Sequence, residues 1–137
     1  MKKDIEIPEV NNVTLAVIRE KTLFDTYDWN VYIINKNSFT IEKVIVASTG
    51  YGEKEGEQQK TSTLRHFLEN ISAKGTSLIE PIQENVFHLN NEYWVSYYIG
   101  DKIYDKRFVF VPDSLCEENL SYIKELDMQG VDRKSVV

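Results

Sequence analysis

The sequence predicts an all-β protein, a two-layer immunoglobulin-like antiparallel β-sandwich spanning residues 1–137 as one domain, with a short C-terminal helix. Three observations predict it. The chain holds 13 Val, 13 Ile and 8 Thr against 3 Ala. Branching at Cβ restricts χ1 on a helix and suits a pleated sheet. Short segments alternate apolar and polar residues with period two. Polar turns separate those segments roughly every 8–12 residues, the rhythm of a sandwich. A closed small barrel is the alternative.

The elements follow in order. Ile5 and Ile7 alternate with polar residues before Pro8 and read as a short edge strand. VTLAVIR (13–19) places Val13, Leu15 and Val17 on one face, and TLFDTYD (22–28) is irregular. WNVYIIN (29–35) puts Trp29, Val31 and Ile33 on one side and Tyr32 and Ile34 on the other. IEKVIVAS (41–48) follows a short polar break, and the two segments read as a hairpin. TGYGEKEGEQQK (49–60) contains no apolar residue except Tyr51 and reads as a long, mobile, acidic loop. In 61–74, Leu64, Phe67, Leu68 and Ile71 have helical spacing ahead of Gly75, whereas Leu64, His66 and Leu68 alternate as on a strand. The β character of the flanking segments favours the strand, in series with TSLIEPI (76–82).

The last third reads as a meander of 84–89, 92–99 and 102–111, turning at Asn90-Asn91 and Gly100-Asp101. Asn and Gly tolerate the positive φ of two-residue turns. A turn at Gly100-Asp101 pairs Ile99 with Lys102, Tyr97 with Tyr104, Ser96 with Asp105, Trp94 with Arg107 and Tyr93 with Phe108. Beyond Pro112, Ser114 and Glu117 match a capping box for a helix that buries Cys116, Leu120 and Ile123. The tail from about residue 128 reads as loose.

Charge narrows the function. With 16 Lys+Arg against 22 Asp+Glu the net charge is −6, which opposes nucleic acid and anionic membranes as partners. No apolar run reaches the ~18–20 residues of a membrane span. The lone cysteine and the lack of a secretory apolar segment suit a cytoplasmic protein.

Chemistry-bearing motifs are weak. Gly50, Gly52 and Gly56 are spaced G-x-G-x-x-x-G, one residue off a dinucleotide fingerprint, and Glu53, Glu55 and Glu57 would repel a phosphate. His66 and His88 stand in no metal-ligating pattern, so neither metal nor cofactor is expected. Cys116 beside Glu117 and Glu118 reads as structural. Asp25, Asp28 and Asp101 read as turn residues rather than half of a glycosidase pair such as Asp101/Asp105. An enzymatic reading requires His66 or His88 to meet a carboxylate inside a pocket.

Aromatic residues make up 12% of the chain and gather in 27–32 and 93–110. Trp94 opposite Arg107 suggests a cation–π pair. Tyr93, Tyr97, Tyr104 and Phe108 share the other face of that hairpin. Trp94, Tyr98 and Arg107 are the candidate partner-binding residues, because Tyr, Trp and Arg dominate binding hot spots.

At YGEKEGEQQKTSTLRHF (51–67) and NNEYWVSYYIGDKIYDKRFVFVPDSL (90–115), together with WNVYIIN (29–35), the chain resembles a group of small uncharacterised bacterial proteins. Some members carry the label phenylalanyl-tRNA synthetase subunit alpha. The resemblance implies no particular catalytic residue. A class II synthetase core needs an arginine-bearing ATP motif and a Gly-rich motif ending in arginine. Arg19, Arg65, Arg107 and Arg133 are the only arginines here, and none follows a glycine-rich strand signature. The expectation is therefore a non-enzymatic cytoplasmic sandwich acting through contact with a protein partner or a second copy. The alternative is a small-ligand or carbohydrate-binding module stacking sugars on Trp29, Trp94 and Tyr98.

Overall fold

The computed structural model describes residues 12–136, so the expected strand at Ile5 and Ile7 lies outside the described residues. Ten strands follow in order: β1 (Val13–Lys21), β2 (Tyr27–Asn35), β3 (Ile41–Lys54), β4 (Glu57–Lys60), β5 (Leu64–Ile71), β6 (Thr76–Ile82), β7 (Asn90–Ile99), β8 (Lys102–Phe110), β9 (Ser121–Ile123) and β10 (Met128–Arg133). They form two antiparallel sheets packed face to face. The first has the order β6-β2-β1-β10-β9; the second runs β4-β3-β7-β8, with β5 also paired to β3.

Alternation dictates the core. Leu15 and Val17 of β1, Val31 and Ile33 of β2, Val44 and Val46 of β3, Val95 of β7 and Phe108 of β8 are fully buried between the sheets. The hairpin register predicted from Gly100-Asp101 is observed at all the pairs from Ile99↔Lys102 to Tyr93↔Phe108. It sends Tyr93 and Tyr97 inward, where Tyr97 stacks on Tyr104 at 5.8 Å. Segment 64–71 is a strand, as the flanking β segments suggest, with Leu68 against the core. Trp29 is 7% exposed and meets Phe87 edge-on at 5.2 Å. Trp29→Ala should therefore cost ~3–5 kcal/mol, the usual penalty for emptying a large core site. Chemical denaturation checks this, and a loss below about 1 kcal/mol would contradict a core role.

The expected hairpin of 29–35 with 41–48 is not formed. β2 pairs with β1 and β6, whereas β3 pairs with β4, β5 and β7. Residues 36–40 cross from one sheet to the other. The buried Asn35 holds this corner: its Nδ2 donates to the carbonyls of Phe39 (2.9 Å), Ile71 (3.1 Å) and Ser72 (3.0 Å). Its Oδ1 accepts from the backbone N–H and the Nδ2 of Asn37, both at 3.0 Å. A hairpin and a crossing use the same alternation, so only the corner's hydrogen bonds distinguish them.

Segment 49–60 is a hairpin and not a long loop. β3 continues to Lys54, turns at Glu55 (φ 53°) and Gly56 (φ 81°), and returns as β4. Two successive positive φ values are those of a type I′ turn. The β4 arm is exposed on both faces, so it carries no apolar alternation.

Three further expectations are corrected. Residues 84–86 form a single 3₁₀ turn, and Asn90 and Asn91 belong to β7 rather than to a turn. Asn91 uses its Nδ2 to bind the carbonyls of Val86 (3.1 Å) and Leu89 (3.2 Å). The C-terminal helix is replaced by one 3₁₀ turn at Glu117–Asn119 and the strand β9. Ser114 Oγ donates to the Val111 carbonyl at 2.7 Å instead of capping a helix. The tail expected to be loose forms β10, hydrogen-bonded between β1 and β9.

β10 explains a second apolar layer. Ala16, Ile18 and Ile34 point away from the main core yet are buried, packed with Ile123, Leu126 and Met128 from the β9–β10 hairpin. Lys36 reaches Glu125 of that hairpin at 3.9 Å. The β1 and β2 part of the first sheet's outer face is thus covered by the chain itself.

Candidate functional site

Among the described residues, nothing covers the outer face of the second sheet. The register aligns Trp94 with Arg107 and Ala47, Ser96 with Asp105 and Ile45, and Tyr98 with Ile103 on that face. Phe67 of β5 pairs with Ile45 and joins them. Phe67 is 78% exposed, Ile103 55% and Trp94 41%.

Trp94, Tyr98 and Arg107 all lie on this face, but the expected cation–π pair takes another form. Glu92, two residues before Trp94 and on the same face, bridges the two: it accepts from Trp94 Nε1 at 3.0 Å and from Arg107 Nε at 2.7 Å. Arg107 also donates to Tyr51 Oη at 3.3 Å. The Glu92 hydrogen bond raises the Arg107 pKa further above its already high ordinary value. Lys43 Nζ lies 5.5 Å from the centre of the Tyr98 ring. Trp29 is in the core, so the three rings of the sugar-stacking reading do not share a surface.

A second constellation lies between the sheets, and sequence reasoning missed it. Glu80 sits on β6 opposite Val31, which turns its side chain inward. Its carboxylate meets three residues of the other sheet. Oε1 accepts from Ser48 Oγ at 2.9 Å and lies 2.7 Å from His66 Nε2; Oε2 accepts from Tyr93 Oη at 3.1 Å. A carboxylate only accepts, so His66 carries its proton on Nε2. Burial, and then the Glu80 charge, hold the Tyr93 pKa well above the usual phenol value, so Tyr93 remains a donor. The four residues come from β3, β5, β6 and β7.

Beside this group lies a cavity of about 180 Å³ whose lining includes Ser48, Glu80, Asn91 and Tyr93 together with the apolar Leu64, Pro81, Ile82 and Val86. An imidazole thus meets a carboxylate, the contact an enzymatic reading requires, but beside the cavity and not inside it. The arrangement still differs from a nucleophilic triad. Ser48 donates to the carboxylate rather than to the imidazole, and His66 is not on the cavity wall. A nucleophile needs its base within hydrogen-bond reach.

The other candidates are placed as follows. His88 Nε2 meets Gln59 Oε1 at 2.7 Å on the exposed β4 arm. Asp25 has a φ of 62° in the β1–β2 turn and pairs with Lys21 at 2.9 Å. Asp105 accepts from Ser96 Oγ at 2.5 Å, and Cys116 is half-buried and free. Among the described residues no group of three or more His, Cys, Asp or Glu could hold a metal ion, and no helix is long and apolar enough to cross a membrane.

Comparison with known proteins finds no matching family, no matching curated protein and no matching solved structure.

Glu92 was within reach of the sequence, because an i, i+2 pair on a strand shares a face. Glu80 carried no such signal. Its partners lie 13 to 32 positions away, on strands of the other sheet.

Proposed function

We propose that the protein is a non-enzymatic cytoplasmic sandwich that acts through protein–protein contact, the outer face of its second sheet being covered by a second copy of the chain. The observation that carries this is the asymmetry of the two outer faces. On the first sheet Ala16, Ile18 and Ile34 are covered by the β9–β10 hairpin and only Leu78 stands half open, whereas Phe67, Trp94 and Ile103 on the second are all open. An antiparallel sheet that faces water normally presents polar residues there. Charge on the face itself leaves room for a second copy. Two molecules of net charge −6 repel, but this face is balanced overall, with Glu42 (opposite Tyr98), Glu92 and Asp105 set against Arg65, Arg107 and Lys43.

The strand order supports an immunoglobulin-like connectivity. The chain crosses between the sheets from β2 to β3, β5 to β6, β6 to β7 and β8 to β9, so that β2 lies between β1 and β6 and β7 lies between β3 and β8. The likeness at 51–67 and 90–115 adds no site residue to this reading.

The size of the face sets the expected strength. Four strands ~4.8 Å apart and about eight residues long present ~500 Å² per copy, below the ~800 Å² of a standard stable interface. A weak, concentration-dependent dimer is the expected result in light scattering after size exclusion. Phe67→Glu should shift it to monomer without lowering the melting temperature, because Phe67 is 78% exposed. A wild-type chain that stays at 16.0 kDa up to millimolar concentration would overturn self-pairing.

A further inference from the structure

We infer that the cavity beside Glu80 is a binding site for a compact primary amine with an apolar body. The argument is a count of donors and acceptors on its wall. Of the buried or half-buried polar side chains there, Ser48, Thr61, Asn91 and Tyr93 have their donors committed within the protein. Ser48 and Tyr93 hydroxyls donate to Glu80, and the Thr61 hydroxyl donates to the Ser62 carbonyl at 3.0 Å. The Thr49 hydroxyl shares a hydrogen bond with Thr63 at 2.9 Å, and both protons of Asn91 Nδ2 go to the carbonyls of Val86 and Leu89.

Acceptors remain. Glu80 Oε1 serves Ser48 and His66, but Oε2 serves Tyr93 alone. A carboxylate oxygen has two lone pairs, so one on Oε2 is unused. Asn91 is 7% exposed and its Oδ1 accepts no hydrogen bond within the described residues. Ser62, Gln83 and Asn85 line the cavity too but are exposed, so the buried end around Glu80, with spent donors, open acceptors and a carboxylate, selects a ligand group that only donates. An ammonium group meets that requirement, whereas a carboxylate or phosphate is repelled.

The rest of the wall and the volume set the body. Leu64, Pro81, Ile82 and Val86 are apolar, and about 180 Å³ is available. An apolar protein cavity of ~150 Å³ accommodates benzene, so there is room for one six-membered ring and a one-carbon arm. The site is on the opposite face of the second sheet from the Phe67–Trp94–Ile103 surface, so it is independent of the dimer proposal.

The test is a titration followed by amide chemical shifts at mildly alkaline pH, using benzylamine, benzyl alcohol and benzoate as probes. The expected result is shifts at Gly50, Asn91 and Glu80, with benzylamine about tenfold or more tighter than benzyl alcohol, as a charge-assisted hydrogen bond supplies, and no benzoate binding. Glu80→Gln should bring the amine and the alcohol to within about twofold, if its spectrum shows that it folds. Val86→Phe fills the cavity without touching the Glu80 hydrogen bonds and should abolish binding. Equal affinity of the amine and the alcohol for the wild type, shifts confined to other surfaces, or full benzylamine binding by Val86→Phe would each overturn the assignment.

Discussion

Replacing Asn35 by alanine is expected to cost about 3–5 kcal/mol of folding stability, because buried polar groups left without partners lose about 1–3 kcal/mol each. Asn35 is fully buried and takes part in five hydrogen bonds where β2 leaves one sheet and the chain enters the other. Its removal leaves the carbonyls of Phe39, Ile71 and Ser72 and the N–H of Asn37 without this partner. The Ile71 and Asn37 N–H contacts are buried, so they bear the full penalty, while the Phe39 and Ser72 contacts are only partly buried and water can reach them. Asn37→Ala removes only the 3.0 Å side-chain bond to Asn35 Oδ1 and should cost about 1 kcal/mol. Urea unfolding of both variants gives the comparison. A typical domain has ~5–15 kcal/mol in total, so the Asn35 variant should show a much lower midpoint. Similar midpoints for the two variants would mean that the corner is held by its backbone alone.

Gly130→Ala is expected to cost about 2–3 kcal/mol, the upper part of the range for overpacking. Gly130 lies in β10 opposite Ile18 of β1 and Ser121 of β9. A Cβ there would stand 2.6 Å from Ile18 Cδ1 and 2.7 Å from the Val17 carbonyl oxygen. The Ile18 methyl could swing aside only into the layer formed by Ala16, Ile34 and Ile123, and the carbonyl is part of the β1 ladder. The strain must therefore lift the β9–β10 hairpin off the first sheet. Faster amide exchange over 121–133 than over β7 and β8 would accompany the loss. Gly100→Ala is the control: nothing lies within 4 Å of its Cβ position, and only its φ of 61° opposes a side chain. That substitution should cost about 1 kcal/mol, through backbone conformation rather than packing. Equal and small losses at both positions would show that the hairpin yields freely.

The legible parts of the sandwich are those governed by local chemistry. Branched residues in alternation place Val13, Leu15 and Val17, and Trp29, Val31 and Ile33, on their inner faces without reference to any partner. Gly100 can take positive φ, and a two-residue turn then fixes every pair of the β7–β8 hairpin. Trp94, Tyr98 and Arg107 could be assigned to one face for the same reason. The Glu80 group has no such local cause. Its members come from four strands, and each residue alone reads as an ordinary polar position on a strand.

Polar segments were misread wherever their hydrogen bonds reached far along the chain. Asn35, read only as the end of a strand, is a side-chain plug whose partners, the carbonyls of Ile71 and Ser72, lie 36 and 37 positions away. Segment 128–133 has too few apolar residues to announce a strand, and it becomes one because β1 and β9 offer ladders on both of its edges. Side-chain period and turn chemistry, both written within a few residues, determine which face of each strand is apolar and where a tight hairpin closes. Which sheet a strand joins, what covers an outer face and which polar groups meet around a cavity are settled only when distant segments satisfy one another's backbone and buried polar groups, because those partners are close in space and remote along the chain.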